Sequence, residues 1–124
     1  MKKLLALLMA TSMLFACSNT TTTENSSGDS DTIRIGGLAP LTGDVSIYGT
    51  STTNGIKIAI NEINENGGIL GKQIDIEVLD TKGDSTEAVT AYTRHLDKGA
   101  FAIIGEIVSK SAAAVAEASV SDGI

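Results

Sequence analysis

The sequence has little of several residue types on which common enzymes and small scaffolds depend. Its 124 residues include one cysteine, one histidine, one proline and no tryptophan. A lone cysteine forms no internal disulfide, and neither a Cys pair nor a His cluster is available for a metal site. No Gly-x-Gly-x-x-Gly motif follows the first predicted strand, and there is no nucleophile elbow. We therefore expect no catalytic residues, no metal site and no cofactor, so that an enzyme is not indicated.

The chain also lacks an apolar run long enough to span a bilayer. Residues 4–15 are mostly apolar, whereas a transmembrane helix needs about 20 apolar residues. Two lysines precede this run and Leu14-Phe15-Ala16-Cys17 ends it, which is typical of a lipoprotein signal. We predict that residues 1–16 are a signal peptide and that Cys17 is lipidated, anchoring the chain outside the cytoplasm. An ordinary secretory signal or a short buried helix are the alternatives.

Positive charge is scarce as well. Nine basic residues face fifteen acidic ones, and removal of residues 1–16 with their two lysines changes the formal charge from −6 to −8. Such a surface repels nucleic acid and anionic lipid, so we expect no nucleic-acid partner. Residues 17–31 begin with the lipidated Cys and continue without any aliphatic side chain. This composition predicts a disordered tether between the lipid and a folded part.

From Thr32 onward, strand and helix patterns alternate three times. Alternating side chains predict strands near 33–38 and over 73–80, with a loop over 39–49 after the first. A compact apolar run predicts a buried parallel strand over 101–105. Apolar residues at helical spacing, with their end signals, predict helices after each strand. The inward face of the first helix consists of Ile56, Ala59, Ile60 and Ile63. The second helix follows a capping box from Asp84 to Glu87, and its inward residues are Ala88, Ala91, Tyr92 and Leu96. The third begins at Ser109 or Ser111, and its inward residues are Ala112, Val115, Ala116 and Val120.

This alternation indicates an α/β fold, a parallel sheet flanked by helices on both faces. Residues 32–124 amount to 93 residues, and a fourth strand would begin at Ile124. Three parallel strands leave a long unpaired edge. We therefore expect an incomplete domain, the amino-terminal part of a longer protein, rather than a complete small domain.

The loops after the strands are the expected binding region of this fold. Ligands of open α/β sheets bind at the carboxyl ends of the strands. Helix amino termini at that rim carry unpaired N–H groups and attract carboxylates. The loops 39–49 and 106–111 both reach this rim in the predicted topology. A small ligand with a carboxylate would suit the second loop.

A series of short motifs runs through the same residues, and the Asn-Gly-Gly-Ile-x-Gly block ending at Gly71 is the most specific of them. With these motifs the chain resembles the start of the first lobe of the branched-chain amino acid binding proteins, type 1 periplasmic binding proteins that supply ABC transporters. The motifs are Ile35-Gly36-Gly37-Leu38-Ala39-Pro40-Leu41-Thr42-Gly43, Tyr48-Gly49, Asn54-Gly55, Ala59-Ile60-Asn61-Glu62-Ile63-Asn64, Gly67-Gly68-Ile69-Leu70-Gly71-Lys72, Asp80, Ile103-Ile104-Gly105, Ser109, Ser111 and Asp122-Gly123-Ile124.

The resemblance implies three ligand contacts. Ser109 would bind the carboxylate of an amino acid through its hydroxyl, Ile107 would contribute backbone groups, and Tyr48 would pack on the ligand side chain. A plain helix cap is the alternative for Ser109, and an ordinary loop aromatic for Tyr48. Glu106 departs from a neutral loop, and a carboxylate facing the cleft would favour a cationic or amide-like ligand instead.

The resemblance further implies a solute-binding lipoprotein that delivers an amino acid or related small polar molecule to ABC permease subunits. The sensor domain of a signalling receptor uses the same fold and is the first alternative; an extracytoplasmic α/β enzyme is the second. Tyr92 is expected in the core. His95, near the end of the second helix, is expected to be solvated or stabilised by the helix dipole rather than to be a catalyst or metal ligand.

Overall fold

A computed structural model describes residues 32–123 as a three-stranded parallel sheet with three helices. The strand order is β2-β1-β3, with β1 in the centre. Strand and helix alternate along the chain, as the sequence predicts, and the α/β fold class is confirmed. The elements are β1 (Thr32–Ala39), α1 (Ser46–Glu65), β2 (Gln73–Asp80), α2 (Ser85–Asp97), β3 (Ala102–Ile104) and α3 (Ser109–Asp122).

The central strand β1 pairs with β2 along its whole length, from Thr32 opposite Gln73 to Ala39 opposite Asp80. Its pairing with β3 covers only three residues. The first half of β1 alternates between exposed and half-buried residues, whereas the last four residues are all buried. The carboxyl half of the strand is therefore covered on both faces, which is expected for a central parallel strand.

The helices cover both faces of the sheet. Parallel crossovers are right-handed, so α1 covers one face on the way to β2, and α2 covers the other on the way back over β1 to β3. Helix α3 packs against α2 on that second face. The core lies between these two helices and the sheet, and it consists of Leu38, Ala88, Ala91, Tyr92 and Val115.

Two predicted element boundaries differ from the structure. Helix α1 begins at Ser46, so the loop predicted over 39–49 is shorter and Tyr48 lies in the first helical turn. Strand β3 has three residues rather than five, and Phe101, predicted inside it, is 81% exposed. The backbone N–H of Phe101 still donates to Arg34 O at 2.8 Å, so the chain joins the sheet one residue before β3 begins.

Five predicted side-chain positions were wrong. His95 is not solvated: it is 1% exposed, and its Nε2 donates to the carbonyl oxygen of Gly37 at 3.1 Å. A side chain on Gly36 would lie 2.5 Å from the His95 ring, which explains the glycine there. Four residues that were predicted to face the core are exposed: Val120 (83%) and Ala116 on α3, and Ile63 (37%) and Ala59 on α1.

The signal peptide, Cys17 and the tether of residues 17–31 lie outside the described residues, as does Ile124. They stay predictions. Among the helices of residues 32–123, none combines the length and apolar character that crossing a bilayer requires.

Candidate functional site

The loops that follow the three strands meet at Gly83. A methyl group there would lie 2.9 Å from Val45 Cγ2 of the β1–α1 loop and 3.5 Å from Val108 Cγ2 of the β3–α3 loop. Gly83 itself has a φ of 71°, which favours glycine. All three loops therefore belong to one rim, at the carboxyl ends of the strands, where ligands of α/β sheets bind.

Asp80, the last residue of β2, holds the β1–α1 loop in place. Its carboxylate accepts hydrogen bonds from Leu41 N at 2.7 Å, Thr42 N at 3.3 Å, Thr42 Oγ1 at 2.5 Å and Lys82 N at 2.9 Å. Burial acts to raise the pKa of Asp80, but the hydrogen bonds from Thr42, Lys82 and Leu41 outweigh it and hold the pKa below its usual value. The ionised carboxylate thus fixes the shape of the rim.

Tyr48 projects from the first turn of α1. Its side chain is 63% exposed, and its backbone N–H donates to Val45 O at 3.1 Å. The next residue, Gly49, is buried against the loop. It packs so closely there that a side chain at this position would lie 1.9 Å from Pro40 O. This close packing fixes the start of α1 on the loop and leaves the Tyr48 ring open at the rim.

Ser109 is the first residue of α3 and is exposed. Val108 precedes it and provides no side-chain cap, so Ser109 does not occupy the capping position that was its alternative role. Its hydroxyl has no hydrogen-bond partner within residues 32–123. The nearby Ser111 is instead buried and donates to Val108 O at 3.1 Å. The Ser109 hydroxyl is thus available for a ligand.

The backbone of Ile107 already has a partner in the chain. Its N–H donates to Glu106 Oε1 at 3.0 Å, and the N–H of Val108 donates to the same oxygen at 3.2 Å. The carboxylate of Glu106 therefore occupies the backbone donors that the resemblance offers to a ligand. The sequence signal for this occupancy was the acidic residue at the start of the predicted loop 106–111.

The start of α2 is closed to a ligand. Asp84 Oδ1 accepts from Thr86 N at 2.8 Å and Glu87 N at 3.0 Å, which confirms Asp84 as the cap. These backbone hydrogen bonds hold the pKa of Asp84 below its usual value. The capping box is only half formed, since Glu87 pairs with Lys82 at 3.0 Å instead of reaching back. Among the described helices, α1 and α3 have no side-chain cap.

A hollow lies away from this rim. Its volume is about 880 Å³, and residues at the amino ends of β1 and β2, such as Arg34 and Asp75, line it together with Gly99 and Phe101. It is therefore at the end of the sheet opposite to the rim. No predicted site residue lines it.

Tyr48, Ile107 and Ser109 thus share one rim, because Tyr48 follows Val45 by one helical turn and Ile107 and Ser109 flank Val108. Two residues build this rim, Asp80 and Gly83. Sequence reasoning placed Asp80 among the family motifs without giving it a role, and it missed Gly83. An acidic residue at the carboxyl end of a predicted strand was the signal that could have revealed the role of Asp80.

Comparison with known proteins identifies the fold. A family model described as periplasmic binding protein matches residues 32–124. The chain belongs to this family. Over 92 residues it is 36% identical to the Leu/Ile/Val-binding protein BraC3 of Rhizobium johnstonii, a match that covers 74% of this chain and 25% of the relative. It is 33% identical over 81 residues to the leucine-, isoleucine-, valine-, threonine- and alanine-binding protein of Pseudomonas aeruginosa, which covers 65% of this chain and 22% of that protein.

Solved structures of the family agree with this fold. The branched-chain amino acid transporter substrate-binding protein LivJ of Streptococcus pneumoniae, in complex with isoleucine, superposes with a TM-score of 0.72 at 33% identity, covering 75% of this chain and 27% of LivJ. A fatty acid ABC transporter substrate-binding protein of Thermomonospora curvata gives 0.68 at 33% identity, covering 73% and 23%. The chain spans about a quarter of the length of these relatives. It is a partial type 1 periplasmic binding fold.

Proposed function

We propose that this chain is the first part of an extracytoplasmic solute-binding lipoprotein of an ABC transporter, which takes up an amino acid or a related small polar molecule. The observation that carries the proposal is the rim itself. Two helices without side-chain caps begin there, and the exposed Tyr48 and Ser109 side chains project from their first turns. The relatives that share the fold are named as binding proteins for amino acids or fatty acid.

The rim provides one half of a binding site. A ligand between two lobes contacts both of them, so its binding favours the closed form over the open one. The closed form then docks on the permease. In this chain, Ser109 would bind a polar group of the ligand and Tyr48 would cover an apolar part. Ile107, whose N–H is already bonded to Glu106, would contribute its backbone carbonyl oxygen. Catalysis is not part of the proposal.

The proposed location follows from the amino terminus. Lipid on Cys17 anchors the protein to the outer face of a membrane, and residues 18–31 give the binding lobe reach toward the permease. The formal charge of −8 that remains without residues 1–16 keeps the lobe away from anionic lipid.

A thermal-shift screen of the complete protein, second lobe included, tests the proposed function. The screen contains amino acids, amides, urea-like compounds and aromatic acids. A ligand at 100 times its Kd stabilises the folded state by about 2.7 kcal/mol, which raises Tm by several degrees. A shift with at least one compound is expected. If no compound of the screen raises Tm, the proposal fails.

A further inference from the structure

Glu106 places a carboxylate where the helix α3 begins. Its Oε1 accepts from the N–H groups of Ile107 at 3.0 Å and Val108 at 3.2 Å. These two groups lie directly before the first turn of α3, whose start has no side-chain cap. Backbone N–H groups in this position are those that commonly bind anions. The chain itself therefore fills the anion position of this loop.

None of the described ion pairs involves this carboxylate. Its other oxygen, Oε2, is buried and has no hydrogen-bond partner within residues 32–123. The ion pairs that the structure describes join Arg34 to Asp75, Lys82 to Glu87 and Lys98 to Glu77, and none includes Glu106. A ligand at the Ser109 hydroxyl, three residues away along the chain, would thus meet negative charge.

We propose that Glu106 determines ligand specificity by rejecting a carboxylate at the start of α3 and favouring a group that donates hydrogen bonds, such as a carboxamide. The inference rests on the proposed function and narrows its ligand class. Two carboxylates at one site repel each other, and both cannot stay ionised without cost. A ligand carboxylate would also find the N–H groups of Ile107 and Val108 occupied. A carboxamide meets neither obstacle, because it is uncharged and brings its own N–H donors.

Two probes that differ only at this group test the inference. L-Leucine and L-leucinamide share their side chain and ammonium group, and differ in carboxylate against carboxamide. Isothermal titration of the complete protein is expected to give a Kd for leucinamide at least about tenfold below that for leucine, as one hydrogen bond to a charged group can provide. The same or a tighter Kd for leucine would overturn the inference.

Variants of Glu106 separate the effect of its charge from the effect of its hydrogen bonds to the N–H groups of Ile107 and Val108. Glu106→Gln keeps an acceptor for the two N–H groups but removes the charge, so the preference for leucinamide is expected to fall toward equality. Glu106→Ala also frees the N–H groups, and leucine binding is expected to tighten about tenfold or more. An unchanged ratio of the two Kd values in both variants would overturn the inference.

Glu117→Gln is the matched control, because it makes the same charge change on an exposed position of α3. Its ratio of Kd values is expected to equal that of the wild type, and circular dichroism checks that each variant is folded.

The two proposals fail in different ways. If some solute raises Tm in the screen but the Glu106 variants leave the leucine-to-leucinamide ratio unchanged, only the specificity inference fails. If no solute binds wild type or variants, both fail.

Discussion

Single side chains fix the rim, and Asp80 makes the largest set of contacts among them. The substitution Asp80→Asn removes the negative charge of the carboxylate, which accepts four hydrogen bonds from the neighbouring loops. We expect the free energy of unfolding at pH 7 to fall by about 1–2 kcal/mol, since the group is partly exposed and solvent weakens its hydrogen bonds. Urea unfolding measures this. Asp75→Asn, whose only described ion pair is at 3.9 Å between exposed groups, is expected to change stability by less than about 0.5 kcal/mol.

The same residue predicts a pH dependence. The pKa of Asp80 is lower in the folded protein than its ordinary value, which is about 3.9 in an unfolded chain. Its stabilising effect is therefore complete above about pH 4 and is lost as the pH falls through the folded pKa. The wild type and Asp80→Asn should converge in stability at low pH. A difference that stays constant down to pH 2 would contradict this assignment.

Tyr48 and Ser109 should contribute to ligand binding but little to stability, because both side chains are exposed. For a ligand found in the screen, Ser109→Ala and Tyr48→Ala are each expected to raise Kd about tenfold. Tyr48→Phe should retain most of the affinity, since the ring provides the contact. Ser51→Ala, an exposed position of α1 one turn further on, is the control. Unchanged Kd in both alanine variants would remove these residues from the site.

Which residues are buried could be predicted only where the pattern is strong. Ala88, Ala91 and Tyr92 share one face of α2 and are all buried, as expected. His95 was mispredicted because histidine alone does not reveal a glycine opposite to it: Gly36 leaves room for the ring and Gly37 provides a carbonyl acceptor. Val120 was mispredicted because the side of α3 that faces α2 runs from Val115 through Ala118 to Asp122, which accepts from the Tyr92 hydroxyl, and Val120 lies outside it.

At the scale of elements, the packing of α1 on its own loop depends on one glycine. In Gly49→Ala the new methyl group would lie 1.9 Å from Pro40 O, a backbone atom that cannot move freely. We expect a loss of about 2–4 kcal/mol. Gly55→Ala, in the same helix with open space around it, should instead stabilise by about 0.5–1 kcal/mol. Thermal unfolding of both variants measures the contrast, and equal effects would refute it.

The start of α1 shows why an element boundary escaped prediction. Residues 46–55 are mainly glycine, serine, threonine and asparagine, which have low helix propensity. Burial of Gly49 and Thr53 against the rest of the fold overrides that propensity. In contrast, β2 was predicted with its observed bounds, because its alternation and the turn residues around it are local signals.

At the scale of the whole molecule, residues 32–123 form the sheet β2-β1-β3, and the proposed function needs a second lobe as well. The sequence predicted the rim because parallel strands place every following loop at one end. It could not predict the ligand, since the relatives of this fold are named for amino acids in some cases and for fatty acid in another. Specificity depends on side chains such as Glu106 and on the opposite lobe.

The predicted membrane anchor concerns the whole protein but depends on a single sulfur atom. The thiol of Cys17 is the predicted lipid attachment point, and one acyl chain alone binds membranes weakly, whereas two or more hold firmly. In bacterial cells that export the protein, the wild type should therefore sediment with membranes and incorporate labelled palmitate. Cys17→Ser should lose the label and leave the membrane fraction, while Ser18→Ala should behave as the wild type. Palmitate labelling of Cys17→Ser would contradict the lipoprotein assignment, because no other cysteine exists in the chain.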